Sequence, residues 1–511
     1  MARQGGGMQK NSLDKRFRKY EKYLKQDPVM LQAIYMCEKH NIAESTDEDR
    51  MFLHTFAPVI IHFTLWVIRE ALKSGKKRLY FLARDGYYMY HVAKLLKIES
   101  IEYRYLKVSR YSIRSAQYHI LGDRSIDYIC TGGIDVTFEK VMKRAMLTDD
   151  EAMEMAKLAG YEKRYKQVLN YNEVMALKPI LRNIPKFMEI VAFKAEQLYP
   201  ETIAYLKQEG MFDDIDYAIV DSGWIGTLQR SLQELLQKTI EGYYFGLFEI
   251  PKDMDRQQYH AYYFGGDKGI NIKNIKSIIS IRRKAHFANS LFEAVCSAPE
   301  PMTLGYKKEH DRVIPIGSEK NNPNAENITR NLKLIQTLME EYIQVLSATE
   351  KNINKNGKQI FSVTERKINE GGKKVLSDTE KFLKISVLQI KDTACITEKI
   401  LSMLMAKPIH DEAKYFGSYI FCDDLLEQQL QPVAALLTKE DIKNQRLINK
   451  ALILKGIKKA TIHESAWLEG SVRLMETAKK ATPGLNKSIS FEFWHVLVYK
   501  YILHIRKALK K

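Results

Sequence analysis

Apolar positions along the chain follow two rhythms. Leu79 to Ala83, Tyr217 to Val220 and Tyr243 to Ile250 are short runs of apolar and aromatic residues, the signature of buried strands. A fourth strand is expected at Ile101 to Val108. Between them the apolar spacing becomes helical. Met89, Val92, Ala93, Leu95 and Leu96 share a helix face, as do Leu228, Leu232, Leu235 and Leu236. Strand–helix alternation of this kind predicts an α/β fold with a mostly parallel sheet flanked by helices. Ligands of such sheets bind outside the carboxyl ends of the strands.

The pattern also divides the chain. Residues 1–50 are polar and read as a helical N-terminal segment. Residues 51–317 carry the α/β core, interrupted over 120–212 by a helical insertion. Residues 318–385 gain Asn, Lys, Glu and Gly and read as a polar helical insertion. Residues 386–511 are mainly helical and end in a basic tail. The helical additions are therefore large. The stretch from Phe56 to Ile68 reads as one buried core helix, shorter than the ~18 apolar residues that span a bilayer.

Composition narrows the class. The chain has 511 residues, 45% hydrophobic and 28% charged, which excludes wholesale disorder. Its five cysteines are scattered with no metal-ligand spacing, so structural zinc and a disulfide framework are not expected. No apolar leader follows Met1, and a cytoplasmic location is expected. The net charge of +18 fits anionic substrates, anionic lipid or nucleic acid. Nucleic acid is the weakest of the three, because no basic motif is interleaved with aromatics.

Two turns follow predicted strands. Arg84-Asp85-Gly86 opens a helix whose free N–H groups suit a pyrophosphate, with Arg84 adding charge and Asp85 able to ligate a divalent metal. Asp221-Ser222-Gly223-Trp224-Ile225-Gly226-Thr227 pairs an acid, suited to sugar hydroxyls, with a hydroxyl- and glycine-rich turn suited to a phosphate monoester. The plain alternative for each is an ordinary strand–helix turn. Ser109 and Arg110 end the second strand, and Arg114 lies one helical turn on, so both arginines can face one anion. The chain has no GxxxxGK[ST] loop, HExxH or GxSxG. Asp214 and Asp216 precede their strand and read as loop residues.

The order of these motifs resembles type I phosphoribosyltransferases. A closer resemblance, over about residues 50–475, is to glycan phosphoribosyltransferases of bacterial polysaccharide gene clusters. It is carried by Phe81-Leu82-Ala83-Arg84-Asp85-Gly86, Val108-Ser109-Arg110, Val220 to Gln229, Phe292-Glu293, Ala298-Pro299-Glu300 and Trp467-Leu468-Glu469-Gly470. Ser222 stands where the general type I pattern has a second acid, and the loop is about two residues shorter. The resemblance implies a phosphoribosyltransferase-like sheet and transfer of 5-phosphoribosyl from PRPP to a glycan hydroxyl, with Mg²⁺ as cofactor. Residues 222–227 would grip the 5-phosphate and Asp221 the ribose. Arg84, Asp85 and Gly86 would hold pyrophosphate and its metal, and Ser109, Arg110 and Arg114 would line the same site. Asp85 or Asp221 would be the base, and Glu293 and Glu300 would meet the acceptor. Many relatives are fused to a haloacid-dehalogenase-like phosphatase. This chain has no such motif, so a separate phosphatase is an implied partner.

The alternative from another class is a non-catalytic PRPP- or nucleotide-sensing module. The tail from Phe491 to Leu503, with Arg506, Lys507, Lys510 and Lys511, is amphipathic and basic enough to lie on an anionic membrane, where a lipid-linked glycan would be presented. A core-packing helix is the competing reading. Lys273, Lys276, Arg282, Arg283 and Lys284 form a second basic cluster.

Overall fold

A computed structural model describes residues 4–40, 46–132, 136–265, 275–318, 321–356, 378–421, 431–437 and 466–478, with 448, 449, 452, 500–502, 504 and 505. Five parallel strands form one sheet in the order β2-β1-β3-β4-β5. They are β1 (Arg78–Leu82), β2 (Glu102–Leu106), β3 (Tyr217–Trp224), β4 (Glu241–Leu247) and β5 (Tyr259–Phe264). From β1 the chain steps outward to β2, then returns to the other side of β1 with β3 and continues away. The order reverses between β1 and β3, so a crevice opens there at the carboxyl ends.

Alternate residues of the strands feed two cores. Leu79, Phe81, Ala218, Val220, Tyr243 and Phe245 face one side, and Tyr80, Leu82, Leu106, Tyr217 and Ile219 the other. All of β1 is buried, as expected of a strand covered on both faces.

Helices α1 (Gln4–Leu24), α2 (Pro28–His40), α3 (Asp47–His54) and α4 (Phe56–Lys73) precede the sheet. The stretch 47–73 is, by length and composition, long and apolar enough to cross a membrane, which the run-length reading did not find; 94% of its apolar window is buried inside the protein. His62 within α4 is fully covered and bonds Asp27 Oδ2 at 2.9 Å. Helix α5 (Tyr87–Leu95) links β1 to β2, and α6 (Arg110–Leu121) leaves β2. The inserted helices α7 (Ser125–Ile129), α8 (Phe138–Arg144), α9 (Asp149–Leu158), α10 (Tyr171–Arg182) and α11 (Pro185–Gln208) enclose a core of their own around Phe138, Met142, Met155, Leu177 and Leu181.

Helix α12 (Thr227–Leu236) joins β3 to β4, and α13 (Ile275–His286) and α14 (Asn289–Val295) follow β5. Next comes an antiparallel hairpin of β6 (Thr303–Glu309) and β7 (Arg312–Gly317). Neither β5 nor this hairpin is announced by the apolar runs. Helix α15 (Ala325–Asn356) lies in the segment read as polar, yet Ile328, Ile335, Leu338, Met339 and Tyr342 enter the main core. Helices α16 (Asp378–Gln389), α17 (Ala394–Met405) and α18 (His410–Gly417) complete that side, and a further helix spans Leu468–Ala478.

Most of the tail from Phe491 lies outside the described residues. Those described contact the protein: Lys500 pairs with Glu469, the Tyr501 hydroxyl lies 3.1 Å from His286 Nε2, and His504 stacks on Phe248.

Candidate active site

The crevice between β1 and β3 brings together residues far apart in sequence. After Leu82 the chain turns sharply through Arg84-Asp85-Gly86, with a cis bond between Ala83 and Arg84. Gly86 N–H donates to Leu82 O at 2.8 Å, and Tyr87 N–H to Arg84 O at 3.1 Å. A Cβ on Gly86 would stand 2.8 Å from Leu82 O and 2.9 Å from Phe81 Cβ. Glycine is required here to fold the turn onto its own strand. Two N–H groups expected to meet pyrophosphate are spent inside the turn, which leaves the side chains of Arg84 and Asp85 as its outward chemistry.

The second turn is shorter than the sequence suggests. Strand β3 runs on through Asp221, Ser222, Gly223 and Trp224, and Gly223 and Trp224 pair with Gly246 and Leu247 of β4. Gly223 has φ +110°, and a Cβ there would stand 2.4 Å from Gly246 O. Trp224 is also left-handed, at φ +79°. Only Ile225 and Gly226 separate the strand from α12. The Ser222 hydroxyl, expected among the phosphate donors, points elsewhere. It is fully buried and donates to Asp85 Oδ2. That bond ties the two turns together. Ile225 is exposed, and Gly226 is pressed against Tyr259 and Tyr244. No side chain caps α12, so its first turn keeps free N–H groups beside Thr227.

Asp85 and Asp221 are half-buried and crowded by protein. Burial, chiefly, pushes the Asp85 carboxyl up, against the opposing pull of Ser222, Arg84 and Arg110. Asp221 is pushed well above the carboxylate range by burial, then by the Asp85 charge, with Glu293 adding a smaller push. Its own Oδ1 accepts the Ser222 N–H at 2.9 Å. Glu293, on α14, accepts the indole N–H of Trp224. The Trp224 ring packs among Phe248, Phe264, Phe287 and Phe292.

Arg84 and Arg110 lie within electrostatic reach of Asp85, and Arg110 also of Asp221. Ser109 caps α6: its hydroxyl accepts Ser112 N–H at 2.9 Å and donates to Thr303 O at 2.6 Å. Arg110, the first residue of α6, is exposed and lowers the pKa of both aspartates. Arg84 reaches only the Met302 sulfur, at 3.9 Å. Arg114 does not converge with Arg110. It turns toward α12, with Nε 3.4 Å from Ser231 Oγ and the guanidinium 4.6 Å from the Tyr128 ring centroid. Burial, then the neighbouring Arg110, pulls Arg114 down to about 10. None of the three forms an ion pair among the described residues. Arg114 is the most confined of the three and has no acidic neighbour acting on it, so an anion there would be favoured.

No protein-family model matches this chain. No curated protein sequence matches it either.

Glu300 neighbours the aromatic side chains of Tyr87 and Tyr105. Its carboxylate and the buried Tyr105 hydroxyl lie beside each other and interact. Burial first, then Glu300, holds the Tyr105 hydroxyl protonated far above its ordinary value. Tyr105 also packs against Tyr87 and Tyr90. This aromatic shelf with a carboxylate was not foreseen. Its members come from β2 and α5, and only the alternation of Tyr103 and Tyr105 hints at it. Asp216, by contrast, bonds Lys76 at 2.8 Å at the amino end of the sheet, away from the crevice.

Proposed function

We propose that the chain is a phosphoribosyltransferase that moves 5-phosphoribosyl from PRPP to a glycan hydroxyl. The observation that carries this reading is the carboxylate pair Asp85 and Asp221, bridged by Ser222 at the sheet's reversal point and within electrostatic reach of Arg110, with Arg84 beside Asp85. A doubly phosphorylated sugar needs positive charge at both ends and hydrogen-bond acceptors between. Arg84 and Arg110 supply charge beside the acid pair, and Arg114, which packs against Ser231 of α12, would add charge near the uncapped first turn of that helix. On this assignment Arg114 serves the 5-phosphate rather than the leaving group.

Among the described residues no group of three or more His, Cys, Asp or Glu is placed to hold a metal on protein ligands alone. Mg²⁺ needs no such cage when the substrate brings phosphate oxygens; one or two carboxylates suffice. Two crowded carboxylates with raised proton affinity are a donor set that fits it. Asp85, with Asp221 behind it, would hold the ion, whose charge would neutralise the pyrophosphate. The chain's own groups do the rest. Asp221 orients the ribose hydroxyls, and Arg84 and Arg110 stabilise charge growing on the departing pyrophosphate. The acceptor oxygen bonds to C1 as the C1–pyrophosphate bond breaks, and the acceptor proton passes to Asp85 or Asp221. The Tyr105–Tyr87 shelf with Glu300 offers an apolar face beside a carboxylate, which suits a sugar ring. Product ribose would retain its 5-phosphate, so a phosphatase must act next. An acceptor on a lipid carrier would bring the protein to the inner face of the cytoplasmic membrane.

The test is pyrophosphate release from PRPP and Mg²⁺ with a panel of glycan acceptors. Acceptor-dependent release lost in Arg110→Ala supports the reading. PRPP binding without turnover on any acceptor would favour a sensing module, and neither binding nor turnover would end both.

A further inference from the structure

Away from the residues of the crevice between β1 and β3, α1, α13 and α17 line an open cleft of about 660 Å³, within the roughly 300–1,000 Å³ of small-molecule sites. Its lining is heavily cationic. Arg16, Lys19, Lys22, Arg282, Lys399 and Lys407 contribute six positive charges against the single carboxylate of Glu398. Two of the six are held in place. Arg16 bonds both oxygens of Glu412, at 2.8 and 2.7 Å, and the Lys407 carbonyl at 3.0 Å. Arg282 shares Glu398 with Arg283. The four lysines have no such partner: their ammonium groups make no ion pair or hydrogen bond among the described residues. Lys399 alone has a ring contact, 6.0 Å from the centre of Tyr23.

Like charges gathered from separate helices repel, and a concave wall weakens their screening by solvent. Folding gains nothing from this convergence, whereas binding a compact polyanion would. His286, on the cleft wall, responds to the same field. Burial first, then Lys407, Arg282 and Lys500, hold it below its ordinary value against the pull of Glu469. The next residue, Phe287, packs against Trp224 with ring centres 5.0 Å apart, so the cleft borders the support of the second turn.

We propose that this cleft binds clustered phosphates, a di- or triphosphate group, at a site separate from the crevice between β1 and β3. A concave wall with charge concentrated over a short span suits a compact multivalent anion. An extended nucleic acid would need a long groove with several stacking rings, and among the lining residues only Tyr23 and His286 carry rings. The proposal does not depend on the phosphoribosyl reading.

The test is calorimetric titration of the full chain with inorganic triphosphate. The wild type, Lys19→Gln/Lys399→Gln and Arg84→Ala/Arg110→Ala are compared at low and high salt. The lysines titrated are exposed or half-exposed, and thermal melts confirm that each variant folds. The expected result is binding that weakens with salt, falls at least tenfold in Lys19→Gln/Lys399→Gln, and persists in Arg84→Ala/Arg110→Ala. Binding unchanged in the lysine variant, or lost only in the arginine variant, would overturn the proposal, as would no binding at millimolar triphosphate. Sedimentation with phosphatidylglycerol vesicles separates the sources. Vesicle binding displaced by triphosphate and weakened in Lys19→Gln/Lys399→Gln identifies a lipid-borne phosphate. Triphosphate binding without such displacement identifies a soluble one.

Discussion

Ser222→Ala removes one oxygen atom and with it the only direct side-chain bond between the two turns. The Ser222 hydroxyl is fully buried and donates to Asp85. A hydrogen bond to a charged group contributes about 1.5–3 kcal/mol, and alanine offers no replacement donor. Each 1.36 kcal/mol is tenfold in rate. If Asp85 acts as a carboxylate, kcat/KM should therefore fall by about 10- to 150-fold. Burial already pushes the Asp85 carboxyl up, and Ser222 is foremost among the groups opposing it, ahead of Arg84 and Arg110. Without the hydroxyl the carboxyl moves up further. The acid limb of the pH–rate profile should shift to higher pH, and the deficit should narrow as pH rises and Asp85 ionises. The assay is steady-state pyrophosphate release from pH 5 to 9, with thermal melts confirming an intact fold. A kcat/KM within threefold of wild type and an unmoved acid limb would refute the reasoning.

Three further outcomes follow from the same geometry. The folded chain holds the Asp221 proton more tightly than the unfolded chain, so that contribution to stability is present at acid pH and lost as pH rises through the folded value. Asp221→Asn should thus stabilise the protein by about 0.5–2 kcal/mol at pH 8 while abolishing transfer, and a gain that fails to shrink toward pH 5 would contradict this. Gly223→Ala should be poorly folded, because left-handed φ for a residue with a side chain and a 2.4 Å approach to Gly246 O act together; a wild-type melting curve would count against it. Glu412→Ala leaves Arg16 buried without its carboxylate and should cost about 3–5 kcal/mol in denaturant unfolding, with a loss below 1 kcal/mol the adverse result.

Several elements were legible because their sequence signals are local. β1 is a continuous apolar run that a covered strand needs, and α12 carries a clean leucine stripe. β3 was read too short because Asp, Ser and Gly usually end strands. Here Gly223 continues the ladder opposite Gly246, where neither residue has a side chain to obstruct it. β5, Tyr-His-Ala-Tyr-Tyr-Phe, follows a polar loop and is a short aromatic run broken by His260. In the β6–β7 hairpin only Tyr306 and Val313 enter the core, too few to show a period. Among site residues, Asp85, Arg110 and Asp221 stood out because turns after strands are short and polar. What the sequence could not show was how partners are shared. Ser222 serves Asp85, Arg114 turns from Arg110 toward Ser231, and Tyr105 adjoins Glu300. Each pairing depends on a register or a helix rotation set by distant packing. The cationic cleft is hidden for the same reason, since residues 16–22, 282 and 399–407 share no sequence neighbourhood.

The central claim is that one crevice holds PRPP through Asp85, Asp221 and the arginines around them. Its most direct test is calorimetric titration of the full chain with PRPP in Mg²⁺, beside the Arg84→Ala/Arg110→Ala variant. The account expects one PRPP per chain, with affinity falling at least tenfold in the variant. Absence of saturable binding to the folded wild-type chain, or equal binding by the variant, would contradict it.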